Sequence, residues 1–363
     1  MVNEYKVGVN FDEKLLDKII EVNSKFENSK ITELYGSNLE TADLAARPDF
    51  RLPDIDFNNI ERYVRKAKEN GINFNFTLNS IMPFGSKIEL FQHLDYITYL
   101  IKKLESIGVK RVTIANPLML EIIRNYIKSS IDIEISTCAH IDTITQIKYL
   151  YENYGVTKIC GNLNKNRDFN FLIKASDFCR KNGIIYEIMV NEFCGVGGIG
   201  YATHCVYRDS CYLCHATNHT LDDTLLFDNY PMNLCTKSRD LDIVNWLRLK
   251  WVRPEDIKIY NDIGINHFKI TGRTGSTNYI VNTLESYMNE KYDGNLLNLW
   301  KPLESIYNEI DEYDVNKLYL DNRKLDGFIN MWSENGHNCD YEVCGETCDY
   351  CYNFYRSKIK GDK

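Results

Sequence analysis

A chain of 363 residues that is 44% hydrophobic and 26% charged has ample apolar material for a folded core, which excludes disorder over most of its length. The formal charge of −8 excludes bulk nucleic-acid binding by phosphate neutralisation, though a local basic groove could still take a single nucleotide. The opening MVNEYKVGVNFDEK lacks a signal-peptide pattern and no apolar run reaches the roughly 20 residues of a membrane span, so a cytoplasmic protein with no membrane partner is expected. In that reducing compartment the 12 cysteines predict metal ligation for most of them and not a disulfide framework.

In chain order, β-rich runs occur at 5–10, 31–37, 73–80, 111–117, 132–139, 158–164, 185–194 and 267–274. Amphipathic helical stretches such as FDEKLLDKIIEVNSKF, NIERYVRKAKENG, YITYLIKKLESIG, ITQIKYLYENYG and FLIKASDFCRKNG separate them, several ending in a glycine suited to a left-handed cap. Eight strand–helix units predict an α/β protein, a (β/α)8 TIM-type barrel. A doubly wound open sheet ordinarily has fewer strands and a Gly-rich turn after the first, and VGVNFDEK has none.

The seventh unit is interrupted: roughly 70 residues lie between Cys194 and the eighth strand, and only RPEDIKIYNDIG reads as the crossover helix. The expected organisation is a barrel domain over 1–300 with a metal-binding insertion at 194–252, then a helical and cysteine-rich extension over 301–363 that begins with the acidic PLESIYNEIDEYD. A long insertion over a barrel mouth is ordinarily functional.

That insertion carries Cys194, Cys205, Cys211, Cys214 and Cys235, and four thiolates suit tetrahedral zinc or an iron–sulfur cluster. Wide gaps favour the cluster over a zinc finger, and five thiols for four positions leave one bystander, Cys211 and Cys214 competing for that role. Gly195, Gly197, Gly198 and Gly200 superficially resemble a dinucleotide-binding turn, but no helix follows them, so they read as flexible backbone around a metal site. The extension ends in a second dense set, Cys339, Cys344, Cys348 and Cys351, for which zinc and a second iron–sulfur cluster both fit the spacing. Cys138, Cys160 and Cys179 fall in strands or a helix and are expected to be core.

Barrel enzymes carry their chemistry at the C-terminal strand ends. Those positions hold Asn10, Tyr35, Asn79, Asn116, Thr137, Asn164, Asn191, Glu192, Lys269 and Arg273. The amides suit hydrogen bonding to a polar organic substrate, although Asn also terminates strands well. Glu192 could act as acid or base or orient a cluster ligand, and Lys269 and Arg273 suit an anionic group. His204, His215 and His219 in the cysteine loop are expected to be structural. No Gly-x-Ser-x-Gly, His-Glu-x-x-His or phosphate-binding loop occurs.

The segments ITELYGS, AARPDFRLP, NFNFTLNS, VTIANP, NRDF, VNEFC followed by CVYR, and above all WVRPEDIKIYNDIGINHFKITGRTGSTNYIV with YDGNLLNL, resemble the peptidase U32 family, also called collagenase-like proteases. The resemblance spans roughly residues 5–300. It implies a barrel catalytic domain with a [4Fe–4S] cluster on four cysteines, to which Cys194, Cys205 and Cys235 correspond, with Cys211 or Cys214, the latter preferred, as the third in order. Family members include proteins named as proteases and others needed for oxygen-independent hydroxylation of an aromatic ring or an RNA base.

The expected function is therefore an iron–sulfur enzyme modifying a small aromatic, nucleobase or peptide side chain, hydroxylation favoured, with Glu192, Lys269, Arg273, Asn191 and Tyr35 as catalytic or binding groups. It would carry one or two [4Fe–4S] clusters, with zinc the alternative at the tail. A U32-like partner subunit or electron donor is expected beside a small-molecule or peptide substrate. The alternatives are a peptide-binding or partner protein with structural clusters, and a U32-type peptidase.

Overall fold

The structure, a computed structural model, describes residues 2–47, 49–192, 239, 242–300 and 318–361. Eight strands, β1 (Asn3–Gly8), β2 (Ser29–Gly36), β3 (Asn73–Leu78), β4 (Arg111–Ile114), β5 (Asp132–Ile135), β6 (Lys158–Cys160), β7 (Ile185–Met189) and β8 (His267–Ile270), form a closed barrel in sequence order. Every neighbouring pair is parallel, and β8 closes on β1 with Lys269 opposite Lys6. This is the (β/α)8 architecture expected from the alternating pattern.

The helices sit where the 3.6-residue periodicity placed them, including Glu13–Lys25, Phe57–Glu69, Leu94–Ser106, Ile144–Tyr154 and Phe169–Lys181. Local chemistry sets their ends. Thr143 and Gln146 form a reciprocal capping box at the start of Ile144–Tyr154, and Gly155, at φ 58°, ends it in the left-handed conformation that glycine adopts without a Cβ clash. RPEDIKIYNDIG forms a tight turn at Pro254–Asp256 and then the helix Ile257–Asp262.

The strands are shorter than the β-rich runs suggest because the residues beyond them are helix caps. Asn116 accepts from the Leu118 amide at 2.8 Å, Ser136 from Cys138 at 3.2 Å, and Asn162 from Asn164 at 3.1 Å. Each side chain satisfies a backbone N–H that the helical turn would leave without a partner.

The main apolar core lies between the outer strand faces and the helices, with Val7, Leu34, Phe76, Ile114, Ile135 and Ile188 in one continuous cluster with the helical Ile, Leu and Val positions. An aromatic stack extends it past β8: Trp246, Trp300, Trp251 and Phe328 lie with successive ring centroids 6.1, 4.6 and 5.7 Å apart. Phe328 also meets Tyr350 and Phe354 at 5.6 and 4.9 Å, so the segment after 318 is packed onto the barrel. Among the described residues no helix is long and apolar enough to cross a membrane.

Candidate functional site

The barrel interior is charged. Lys6 on β1 reaches Glu134 on β5 and Glu187 on β7, the latter at 2.7 Å, while Lys158 on β6 reaches Glu33 on β2 at 2.8 Å and Glu187 at 2.6 Å. Strands this far apart in the ring can exchange ion pairs only through the lumen. Asn75 donates to Glu134 at 2.8 Å and accepts from Thr113 at 2.7 Å, and Arg111 pairs with Glu33. All these carboxylates are buried, which would favour their neutral form. For Glu33 the charges of Lys158, Lys6 and Arg111 outweigh that burial and bring the pKa down to about 2; for Glu187 those of Lys158, Lys6 and Lys269 push it lower still.

Lys269 differs from the other lumen cations. It is buried, and among the described residues no carboxylate oxygen lies within salt-bridge distance of it; instead its ammonium lies 4.4 Å from the centre of the Tyr35 ring. Burial opposes its charge, but Cys160, Tyr35, Glu134 and Glu187 outweigh that and leave the pKa raised.

Arg273, just past β8, is also buried, and its Nη1 donates to Ser37 at 3.2 Å and Thr77 at 3.3 Å, two neutral hydroxyls. Burial first, and then the charge of Arg47, push its pKa down to about 9. A guanidinium with this pKa still keeps its proton near neutrality, so the position holds a buried positive charge. The backbone is shaped to allow the cluster: Gly272 turns at φ 104°, and a Cβ on Gly8 would come within 2.9 Å of the Tyr35 ring and 3.0 Å of the Arg273 Cβ.

The other expected positions divide. Tyr35 is buried at the mouth and donates to the Ile270 carbonyl at 3.3 Å. Asn191 spends its amide on the fold, donating to the carbonyls of Thr271 and Leu299 at 3.1 Å and accepting from the Thr271 amide at 2.7 Å, so it clamps the ends of β7 and β8. Glu192 follows it, and its charge bears on Cys138 and Tyr279. Asn79 places its amide 3.3 Å from Ser136 Oγ and 3.9 Å from Cys138 Sγ. Asn10 and Asn116 serve local turns and caps, Thr137 accepts from the Leu163 amide at 3.3 Å, and Asn164 lies inside the turn Leu163–Arg167.

Sequence reasoning missed Lys6, Glu33, Glu134, Lys158, Glu187 and Arg47. For the first five the signal available was a charged residue within an otherwise apolar strand, on β1, β2, β5, β6 and β7; Arg47 lies outside the strands and gave no such signal.

Cys138, Cys160 and Cys179 are buried, as expected of core thiols, and burial raises all three pKa values, those of Cys160 and Cys179 to about 12. Glu134, Cys160 and Glu187 bring three potential ligand atoms within 4.8 Å of one another. Both carboxylates already hold lysine ammoniums, so the protein's own cations occupy the place a metal would take. Cys194, Cys205, Cys211, Cys214 and Cys235, with His204, His215, His219 and the glycines of that loop, lie outside the described residues, as does the acidic stretch 302–314. Cys339, Cys344, Cys348 and Cys351 are all described, half-buried, and line one cavity with Arg167.

Fold and mouth together define a (β/α)8 barrel protein with two buried cations, Lys269 and Arg273, on and just past β8. A family model described as peptidase family U32 matches residues 43–162. That stretch runs from just before Arg47 to the Asn162 cap. An uncharacterized protease of Methanocaldococcus jannaschii is 25% identical over 310 residues, covering 84% of this chain and 82% of the relative. Among solved structures, a U32 peptidase overlaps 75% of this chain and 94% of its own at 15% identity and a TM-score of 0.44. An HpcH/HpaI aldolase of Desulfitobacterium hafniense covers 54% and 81% at 10% identity and a TM-score of 0.32.

Proposed function

We propose that the chain is an iron–sulfur-dependent U32 enzyme that binds an organic substrate by its anionic group at the barrel mouth and modifies it, with hydroxylation-type redox chemistry favoured. The observation that supports this reading is the pair Lys269 and Arg273: two buried cations at the catalytic face, neither with a carboxylate partner among the described residues. A buried charge without a counter-charge is costly, so a site that retains two is suited to an anion that arrives and leaves.

In this reading Arg273 grips a carboxylate or phosphate, Lys269 adds charge from below, and Tyr35 holds the Lys269 ammonium in place. Asn191 fixes the point where the chain leaves β7 for the cysteine insertion, and Glu192 stands at that exit as the proton-accepting group. Cys194, Cys205 and Cys235 with Cys214 or Cys211 would hold the cluster, which when bound supplies one-electron chemistry. An external electron donor or a U32-like partner subunit completes the system.

A second reading, a U32-type peptidase, draws on the printed name of the Methanocaldococcus relative. It requires an activated nucleophile. The thiols of Cys138 and Cys160 near the mouth are shifted upward by burial, the opposite of what a reactive cysteine needs.

Anaerobic purification followed by iron and sulfide analysis and electron paramagnetic resonance tests the proposal, alongside titration with benzoate and a nucleoside monophosphate as anionic probes. A redox-silent zinc protein that binds neither probe would overturn it.

A further inference from the structure

We infer that Cys339, Cys344, Cys348 and Cys351 hold an iron–sulfur cluster whose negative charge is balanced by the buried guanidinium of Arg167. The cavity these cysteines line includes none of Tyr35, Lys269 and Arg273, and the inference uses none of the cysteines of the insertion.

Arg167 ends the turn Leu163–Arg167 that follows β6 and is 2% exposed. Its guanidinium lies 4.7, 5.1 and 4.6 Å from the ring centres of Trp251, Phe328 and Trp332. Nη1 donates to the Leu247 carbonyl at 2.8 Å, while Nε and Nη2 are buried with no hydrogen-bond partner among the described residues. The cavity this cation lines is the one lined by all four tail cysteines. A buried cation calls for a counter-charge, and protonated thiols supply none. Four thiolates around a metal centre leave a net negative charge and so meet the requirement.

The other contacts agree. The Trp332 indole N–H donates to Cys339 Sγ at 3.1 Å, and a thiol sulfur is a poor acceptor where a thiolate is a good one. Gly345, at φ 89°, reverses the chain so that its N–H reaches the Cys348 carbonyl at 3.0 Å and brings Cys344 and Cys348 side by side. Lys165 pairs with Asp340 at 2.8 Å, tying the segment to the turn that carries Arg167.

Sulfur spacing bears on the choice between the two metals. A tetrahedral zinc with Zn–S bonds of about 2.3 Å holds its sulfurs about 3.8 Å apart. Among the described residues the trio Glu134, Cys160 and Glu187 is the group of potential ligands whose donor atoms all lie within 4.8 Å, so no three of the tail sulfurs are that close. Sulfurs not drawn together to that degree are compatible with a cluster, in which iron and sulfide stand between the thiolates.

The test uses the full chain purified anaerobically. In Cys194→Ser/Cys235→Ser, iron and acid-labile sulfide should remain in equal amounts, about four of each per chain for a four-iron cluster. In Cys344→Ser/Cys348→Ser, which alters two half-buried positions, that fraction should disappear with the circular dichroism unchanged. Unaltered iron and sulfide in the second variant, or a loss of zinc instead, would overturn the assignment. Equal iron in the parent and in Cys194→Ser/Cys235→Ser would count against a mouth cluster and for the tail one. For Arg167, the midpoint potential of the tail cluster should fall in Arg167→Gln and return toward the parent value in Arg167→Lys; an unmoved potential in Arg167→Gln would remove the charge-balancing role.

Discussion

Lys6 on β1 and Glu134 on β5 stand 128 residues apart in the chain and hydrogen-bond directly across the barrel lumen, both fully buried. Around this pair the interior is a shared lattice in which each carboxylate answers two or more cations. The lattice leaves Lys269 with an aromatic face in place of a carboxylate, and Arg273 lies buried just past it.

The lattice predicts an acid limit. Glu33 has its pKa lowered from 4.5 to about 2, so it contributes stability that is fully present above about 4.5 and is lost as the pH falls through 2. Glu187, shifted in the same direction, adds to the effect. Urea unfolding between pH 6 and pH 2 should show stability falling steadily below about pH 4.5, and a flat profile there would contradict the buried lattice.

Breaking the lattice from one side should be severe. Glu187→Leu removes the carboxylate that Lys6 and Lys158 contact at 2.7 and 2.6 Å and leaves two buried ammoniums short of charge. The expected loss is about 3–5 kcal/mol, as for one partner of a buried ion pair. Chemical denaturation measures it directly.

Arg273→Ala should weaken binding of an anionic probe by about 1.5–3 kcal/mol, the range for hydrogen bonds to charged groups. Arg273→Lys should recover only part of that, because it keeps the charge and loses the two-donor fork. Calorimetric titration with the same probe decides; equal affinities in the parent and both variants would make Arg273 a residue of the fold.

Gly8→Ala should damage the same site without touching a polar group. The added methyl meets Tyr35 at 2.9 Å and Arg273 Cβ at 3.0 Å, which forces one of them to move. An overpacking cost of about 1–3 kcal/mol in stability is expected, with weaker anion binding. Parent-like thermal stability and affinity would show that the mouth yields easily.

Deleting 338–363 removes the tail cysteines along with Tyr350 and Phe354, which pack on Phe328, and Ile359, whose carbonyl accepts from Lys324 at 2.7 Å. Burial of Phe354 and Ile359 alone accounts for about 1.5–3 kcal/mol each. The truncated chain should keep barrel circular dichroism, lose about half of the iron bound by a two-cluster protein, and melt at a lower temperature. Full iron retention with loss of zinc would make the tail a structural zinc site.

The sequence alone determined the eight units. The periodicities of 2 and 3.6, with Asp, Ser and Thr at helix starts and glycine at their ends, are local signals, and local signals survive without a structure. It also put Lys269 and Arg273 at the mouth and the tail cysteines in one short segment, because adjacency in the chain is itself information. Closure of the ring decided the rest. Lys6, Glu33, Glu134, Lys158 and Glu187 read singly as charges interrupting apolar strands; only when β1 faces β5 and β6 faces β2 do they become each other's counter-ions. Closure likewise turned Asn191 from a candidate substrate ligand into a clamp on β8, and set Arg167 beside cysteines more than 170 positions later. No local rule could pair those residues, since their attraction exists only where folding has removed the water between them.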